Sequence, residues 1–356
     1  MTTIRCWHGA IAQKSYGIEK RYLCPPPMVH VSAGPHVTMS ILHEKLTSGH
    51  QSQNGSENLM EQDCTLDDLL RCSFRNLHVT GTGADSSKRF KLGLQVFLNK
   101  NSTLPTATMD SNPIPIISKP SKKTAKAGNA SCFILNGMSV SLLNRINAQT
   151  VRTKYMAVDN NAVCAKIGSW SSFTIKMVKP PPAPPAKPVL YGSEIILIND
   201  LTGVTTDRLI IRKVENGKVI RNGTGPVSQM QKIVLQHPDR VHPEDGRPYY
   251  LSASSIGSPK IEGKIPLQAA MDRSPLLEYR TSSKKARVPK GQESVAVDDF
   301  VCWTIAGIAK FDYTYFGPIP ASIDTDVDSR KVPKVLSHPR YNSQSNTLVM
   351  KVKNVF

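Results

Sequence analysis

The 356-residue sequence lacks the cysteine patterns that bind metals or form disulfides. Its seven cysteines are odd in number and scattered over the whole chain, and no two of them form a C-x-x-C pair. Zinc ribbons need closely spaced ligand pairs and small disulfide frameworks need an even set, so both classes are excluded. We therefore expect no bound metal and a reducing compartment.

Long apolar runs and the motifs of common enzyme classes are also missing. No apolar stretch approaches the ~20 residues of a transmembrane helix, so we expect no membrane partner. There is no G-x-x-x-x-G-K-[ST] phosphate loop, no H-E-x-x-H zinc motif and no G-x-S-x-G nucleophile turn. The sequence thus predicts a protein that is not an enzyme and that uses no cofactor.

Acidic residues are few relative to basic ones. The chain has 27 Asp and Glu against 45 Lys and Arg, which gives a formal net charge of +18 at pH 7. Such an excess favours an anionic partner, and nucleic acid is the commonest. A chain of this length is expected to hold two or three domains, each with its own core.

The stretch AQKSYGIEKRYLCPPP at residues 12–27 interleaves basic and aromatic side chains and ends in three prolines. Because proline interrupts helices and central strands, the cluster is predicted to lie on a strand end or a loop. There, an arginine can donate two hydrogen bonds to a guanine edge while lysines pair with phosphates. On composition alone, an ordinary solvated basic loop is the alternative.

A repeat with a spacing of 55 residues begins after residue 132. In both copies an apolar alternation is followed by a turn and a second strand, which is typical of a pseudo-symmetric β-barrel or β-trefoil. The matching positions are Gly137/Gly192, Val140/Ile195, Leu142/Leu197, Asn144/Asn199 and Thr150/Thr205. The aromatic pairs Trp170/Phe173 and Phe300/Trp303 are predicted to lie in the closing strands of successive units.

Two segments are predicted to be insertions in this second region. The proline-rich stretch 179–188 is expected to be a stiff polyproline II spacer, which is either a plain surface loop or a ligand for an SH3- or WW-like module. The polar and basic stretch 237–299 is expected to be partly disordered. It contains the tetrapeptide KKAR at 284–287, which is either a nuclear import signal or an ordinary run of solvated charge.

The stretch at 12–27 closely resembles the N-terminal signature of the CSL family, the Suppressor-of-Hairless type of sequence-specific transcription factor. Further motifs resemble the family and follow in its order: SSKRFKL (86–92), ISKPSKK (117–123), LNRINAQTVRTKY (143–155), RLIIRKV (208–214), PVSQ (226–229) and WTI (303–305). The long 237–299 segment is typical of fungal members. One departure is Ala148, which stands where the family usually has serine.

The resemblance implies an all-β fold with three parts. These are a Rel-homology-like N-terminal β-domain at 1–128, a β-trefoil at 129–320, and only the start of a C-terminal Ig-like domain at 321–356, as in a member truncated there. It also implies a nuclear transcription factor that recognises a TGGGAA-like element. Such a protein recruits corepressors or coactivators to RNA polymerase II promoters, and we expect it to bind double-stranded DNA as a monomer.

The resemblance further assigns base reading to two side chains. Arg21 is expected to contact guanine in the major groove, and Gln149 to meet the more degenerate minor groove from the trefoil. Glu19 is expected to orient Arg21 or Lys20, and Ala148 to weaken minor-groove reading. The backbone or supporting contacts are Lys14, Ser15, Tyr16, Glu19, Lys20, Lys88, Arg89, Lys119, Lys122, Lys123, Arg145 and Ala148.

Two other functions stay open at this stage. If the third domain is incomplete, the protein is an interaction scaffold with weak DNA binding. A β-trefoil can also be a carbohydrate-binding module, although the net charge of +18 argues against that class.

Overall fold

The computed structural model describes most of the chain as β-structure in two units, Met1–Tyr315 and Phe316–Phe356. The described residues are 2–16, 18–31, 36–43, 61–64, 66, 71–79, 88–97, 104–105, 107–118, 132–145, 153–179, 187–253, 276–282, 294–315, 334–335, 340–342, 347–349 and 352–353. They include a 3₁₀ turn at Asp299–Val301 but no α-helix. None of their elements is therefore a helix long and apolar enough to cross a membrane. The predicted all-β class is confirmed.

The strands of the first unit are β1 (Thr2–Gly9), β2 (Ala12–Gln13), β3 (Met28–Val31), β4 (His36–His43), β5 (Glu61–Cys64), β6 (Arg71–Ser73), β7 (Arg89–Phe97), β8 (Ala107–Asp110), β9 (Ile114–Ile117), β10 (Ser139–Asn144), β11 (Lys154–Asp159), β12 (Ala162–Ile167), β13 (Phe173–Met177), β14 (Glu194–Asn199), β15 (Leu209–Glu215), β16 (Lys218–Ile220), β17 (Gln231–Val241), β18 (Pro248–Ser252), β19 (Glu278–Arg280), β20 (Ser294–Ala296) and β21 (Cys302–Tyr315). The second unit contains β22 (Lys334–Val335), β23 (Arg340–Asn342), β24 (Thr347–Val349) and β25 (Val352–Lys353). In it β22 pairs with β25 and β23 with β24, both antiparallel.

The N-terminal part of the first unit has its own hydrophobic core. One sheet continues from β1 to β3 and β6, and a second sheet runs in the order β2-β9-β7-β4-β5, with β8 beside β7. On β7 the alternate residues Phe90, Leu92, Leu94 and Val96 are almost completely buried. This alternation turns one face of the strand to the core, as the period-2 pattern requires.

A ring of three hydrogen bonds marks a pseudo-threefold axis in the second part of this unit. The N–H of Val189 donates to Ile134 O at 2.8 Å, that of Val227 to Val189 O at 2.7 Å, and that of Ile134 to Val227 O at 2.8 Å. All three side chains are completely buried. The surrounding β-bridges follow the same symmetry: Leu135 with Pro188, Leu190 with Pro226, and Phe133 with Ser228. This closed threefold arrangement is that of a β-trefoil.

The predicted repeat is present, and a third copy follows it. Gly137 and Gly192 have left-handed φ angles of 82° and 90°, and Met230 adopts 61° at the equivalent point. The three N–H groups donate to carbonyls on neighbouring strands at 2.7–2.8 Å. The sequence comparison missed the third copy because methionine stands where glycine is favoured and the spacing shortens from 55 to 38 residues.

Equivalent side chains of the three copies fill the trefoil core in layers. The completely buried triplets are Val140/Ile195/Ile233, Leu142/Leu197/Leu235, Ile175/Ile211/Ile305 and Phe173/Leu209/Trp303. Burying one such side chain contributes roughly 1.5–3 kcal/mol, so this core is the main source of stability in the region. Phe173 and Trp303 occupy equivalent places, as the sequence predicted for the closing strands.

Strand β21 belongs to both regions of the first unit. Its first residues pair with β10 and β17 of the trefoil, for example Thr304 with Leu143 and Trp303 with Ile233. Its remaining residues pair with β1 along that whole strand. The N-terminal region and the trefoil therefore share one continuous sheet.

The predicted insertion at 237–299 is wrong at both ends. Strand β17 continues to Val241 and pairs with β18, and β20 pairs with β16. The exposed charged residues at the end of β17 and in the turn after it, such as Asp239, Arg240, Glu244 and Asp245, give this part of the chain the composition of a loop. Residues 254–275 and 283–293, including the KKAR tetrapeptide, lie outside the described residues, as do 180–186 of the proline-rich spacer.

Candidate nucleic-acid interface

The basic cluster at residues 14–21, which we call the basic turn, leaves the N-terminal region at a strand end. The N–H of Lys14 donates to Ile117 O and that of Ser15 to Val79 O, both at 2.9 Å. The chain then reverses, and the N–H of Glu19 donates to Tyr16 O at 3.0 Å. The basic turn is thus tied to neighbouring strands at its start, as expected for a cluster presented on a strand end or loop.

The guanidinium group of Arg21 is fixed by three acceptors. Its Nε lies 3.3 Å from Glu19 Oε1 and its Nη2 lies 3.1 Å from Glu19 Oε2, while Nη1 donates to Ser118 O at 3.3 Å. The Arg21 N–H donates to Ser15 Oγ at 2.9 Å. Of the two orienting roles expected for Glu19, the structure shows the contact with Arg21.

This pairing leaves part of the Arg21 fork available. A guanidinium has five N–H donors, and three of them have acceptors among the described residues. One N–H remains on each of the two terminal nitrogens. The side chain is 22% exposed, so part of it is open to a ligand.

An aromatic ring lies between Arg21 and a second cation, and further cations are exposed on the basic turn and on β7. The Tyr16 ring, 45% exposed, lies 5.3 Å from the Arg21 guanidinium carbon and 5.8 Å from Lys14 Nζ. Lys20 is exposed on the same turn. Lys88 and Arg89 are exposed at the start of β7, where Lys88 O accepts from the N–H of Ile116 on β9. Clustered cations with few acids raise the local positive potential, which attracts a polyanion.

Arg145 approaches the basic turn from the trefoil. Its Nε donates to Thr153 Oγ1 at 3.1 Å and its Nη2 to Cys24 Sγ at 3.2 Å. Burial raises the pKa of the Cys24 thiol, and the nearby Arg145 charge only partly opposes this. Arg145 and Arg21 line the same cleft of about 290 Å³, so the structure brings these two predicted residues together.

Two residues at the junction of the two regions were missed by the sequence analysis as contributors to the site. The buried Trp170 donates from Nε1 to Pro26 O at 2.9 Å, and Arg75 donates from Nη2 to Gly168 O at 3.0 Å. These bonds tie the proline run after the basic turn, and a loop beside it, to the trefoil. Nothing in the sequence around Arg75 indicated this role, because the contact joins residues that are far apart along the chain.

Comparison with known proteins identifies both regions. A family model described as "LAG1, DNA binding" matches residues 4–131, and one described as "Beta-trefoil DNA-binding domain" matches residues 159–255. "Transcription factor cbf11" of fission yeast is 32% identical over 99% of this chain and 59% of its own length.

The chain belongs to the CSL family.

Mammalian members show the same relationship at slightly lower identity. The "Recombining binding protein suppressor of hairless-like protein" is 29% identical in human, over 90% of this chain and 60% of the relative, and 29% identical in mouse, over 88% and 59%. The CSL chain therefore spans about three fifths of the length of these curated relatives. The closer agreement with the fission yeast protein supports the expectation of a fungal member.

The family result also bears on the other classes considered from the sequence. Both matched models describe DNA-binding domains, which confirms the prediction that this CSL protein is not an enzyme. The matched trefoil model is itself a DNA-binding one, so the carbohydrate-binding alternative gains no support.

Five of the predicted contact residues lie outside the described residues: Lys119, Lys122, Lys123, Ala148 and Gln149. The first three follow Ser118, whose carbonyl accepts from Arg21. The other two lie in the segment between Arg145 and Thr153, whose side chains hydrogen-bond to each other. The chain therefore leads into both segments from residues next to the cleft, and their DNA contacts stay predictions.

Proposed function

We propose that this CSL protein is a nuclear transcription factor that binds double-stranded DNA as a monomer and reads a TGGGAA-like element. It recruits corepressors or coactivators to RNA polymerase II promoters. In this proposal the N-terminal domain (1–128) and the trefoil (129–320) bind the same duplex between them, and 321–356 begins a third domain. The observation that carries the proposal is the fixed, partly available guanidinium of Arg21 within a cluster of cations.

The hydrogen-bonding capacity of Arg21 fits one base edge. In the major groove guanine presents two adjacent acceptors, O6 and N7, and a bidentate arginine is its commonest partner. The two N–H groups of Arg21 that remain after pairing with Glu19 and Ser118 match this need. Such a pair discriminates against other bases by ~1–3 kcal/mol. Because Glu19 and Tyr16 already hold the side chain, little conformational entropy is lost on binding.

The other predicted residues have the chemistry of phosphate and supporting contacts. The half-buried Lys14 and the exposed Lys20, Lys88 and Arg89 suit phosphate oxygens. Such contacts fix register and make affinity salt-dependent without reading sequence. We propose the same role for Lys119, Lys122 and Lys123, and supporting roles for Ser15, Tyr16 and Glu19. Gln149, beside Ala148, is proposed to read the minor groove, and Arg145 to support both domains at the cleft.

Fluorescence anisotropy of a TGGGAA duplex and a scrambled duplex, each at two salt concentrations, tests this proposal. The wild type is expected to prefer the cognate duplex, and Arg21→Lys to lose about tenfold of that preference because lysine lacks the planar fork. Lys218→Ala, which removes an exposed lysine on β16 away from the cleft residues, is the matched control. Equal binding of the wild type to both duplexes would contradict the proposal and favour the scaffold alternative.

A further inference from the structure

Ile18 is the large apolar side chain with the greatest exposure among the described residues, at 103% relative accessibility. Single exposed apolar side chains are common on protein surfaces and need no special explanation. The surroundings of this one are unusual, because its described neighbours in the basic turn are Tyr16, Glu19, Lys20 and Arg21. It is an apolar side chain in a cluster of polar and charged ones.

Ile18 lies close along the chain to the guanidinium group that is proposed to read a base. It is the third residue of the turn that begins at Tyr16 and is closed by the bond from Glu19 N–H to Tyr16 O. The Arg21 side chain, paired with Glu19, is 22% exposed and lies three residues further along the chain. Three residues span at most ~11 Å, which is less than the ~12 Å width of a major groove. A duplex that places a guanine at Arg21 is therefore also within reach of the exposed Ile18 side chain.

The chemistry of the major groove limits what Ile18 can contact there favourably. Most base-edge groups are hydrogen-bond donors or acceptors, and the C5-methyl of thymine is the one large apolar feature. From this chemistry we infer that Ile18 is a specificity-determining residue, an inference that rests on the proposed function of the basic turn. Ile18 packs against a thymine methyl close to the guanine that Arg21 contacts.

The expected effect is small but measurable. Removing one methyl from an apolar contact weakens binding about fourfold, the equivalent of one buried CH₂ group. A contact of Ile18 with sugar atoms alone would give no such dependence on the thymine methyl, because sugars carry no sequence information.

Deoxyuridine differs from thymidine only by that methyl, so it tests the inference directly. Each thymine in both strands of the TGGGAA duplex is replaced singly, and binding of the wild type, Ile18→Ala and Leu201→Ala is measured by anisotropy. Leu201→Ala is the control, since Leu201 is an apolar side chain 58% exposed on the trefoil. Thermal unfolding of all three proteins checks that each is folded.

We expect one position at which uridine weakens the binding of the wild type and of Leu201→Ala about fourfold. At that position the affinity of Ile18→Ala should fall less than about 1.5-fold. If uridine has no effect at any position, or if its effect persists in Ile18→Ala, the inference is overturned while the proposed function stands. If the wild type does not prefer the unmodified cognate duplex to a scrambled one, the proposed function fails, and the inference fails with it.

Discussion

Arg21 and Arg145 face the same cleft from the two regions of this CSL protein, but their guanidinium groups are held differently. Arg21 is paired with Glu19 and Ser118 of its own region, and two of its N–H groups have no acceptor within the described part of the chain. Arg145 donates from Nε to Thr153 of the trefoil and from Nη2 to Cys24 of the N-terminal region. The first arrangement suits recognition of a ligand, whereas the second connects two parts of the protein.

This comparison shows that residue type and motif membership do not fix a role at an interface. Both arginines lie in motifs of the family, and both were predicted to contact DNA. The acceptors around each group separate the two roles: we expect Arg21 to determine specificity and Arg145 to determine how firmly the two regions are joined. The predictions that follow test this separation.

The largest expected effect is on the free energy of unfolding, at the junction between the N-terminal region and the trefoil. Trp170 is buried, and its Nε1 donates to Pro26 O across the two regions. Trp170→Ala should lower the free energy of unfolding by about 3–5 kcal/mol, because it leaves a cavity and an unpaired carbonyl. Urea unfolding followed by fluorescence of the remaining tryptophans measures this, with Arg21→Ala as a control that should change little. A loss below about 1 kcal/mol would show that the junction is not a stabilising element.

A lysine at position 145 distinguishes the connecting role from a reading role. Arg145→Lys keeps the charge but cannot reach both Thr153 and Cys24, so we expect the free energy of unfolding to fall by about 1–2 kcal/mol. Affinity for cognate and scrambled duplexes should fall in parallel. Urea unfolding and anisotropy on the same samples give both values. Loss of the cognate preference with unchanged stability would instead assign Arg145 to base reading.

A smaller effect is expected when Arg21 loses its orienting carboxylate. Glu19→Gln removes a negative charge beside a polyanion, so binding to every duplex should tighten at low salt. The preference for the cognate duplex should fall about two- to fivefold, since only a neutral partner remains to position the guanidinium. Competition anisotropy with cognate and scrambled duplexes separates the two changes. An unaltered preference would mean that Glu19 does not orient Arg21 for reading.

The smallest effect concerns pH and the seam between β1 and β21. His8 is buried beside Phe311, and burial lowers the pKa of its imidazole below the usual 6.5. The folded protein keeps His8 neutral while the unfolded chain takes up a proton, so this stability is present above pH 6.5 and is lost as the pH falls. The melting temperature of the wild type should drop more between pH 7.5 and 5.5 than that of His8→Phe. Identical profiles would contradict a neutral, buried His8.

The sequence predicted those parts of the fold and site that depend on local patterns. Two trefoil copies were predictable because Gly137 and Gly192 begin equivalent apolar alternations. The basic turn was predictable because prolines follow it. The third copy could not be predicted, because Met230 takes the left-handed position of the two glycines. In addition, His237 stands seven residues after it, where the second copy has Asn199. Its Nδ1 accepts the N–H groups two and three residues on, just as Asn199 Oδ1 does.

Contacts between distant segments could not be predicted in this way. The bonds from Trp170 to Pro26 and from Arg75 to Gly168 exist only because the shared strand β21 brings the two regions together. The same reason explains the error at 237–299. The charged stretch 239–247 has the composition of a loop, and only the pairing of β18 with β17 shows that this part of the chain belongs to the trefoil.

The most direct test of Arg21 as the guanine reader removes one acceptor from the DNA. Each guanine of the TGGGAA duplex is replaced singly by 7-deazaguanine, which lacks N7, and binding of the wild type and Arg21→Ala is compared as a double-mutant cycle. We expect one guanine whose modification weakens binding of the wild type about tenfold and binding of Arg21→Ala hardly at all. An equal loss in both proteins at every position, or no loss in the wild type, would contradict this role of Arg21.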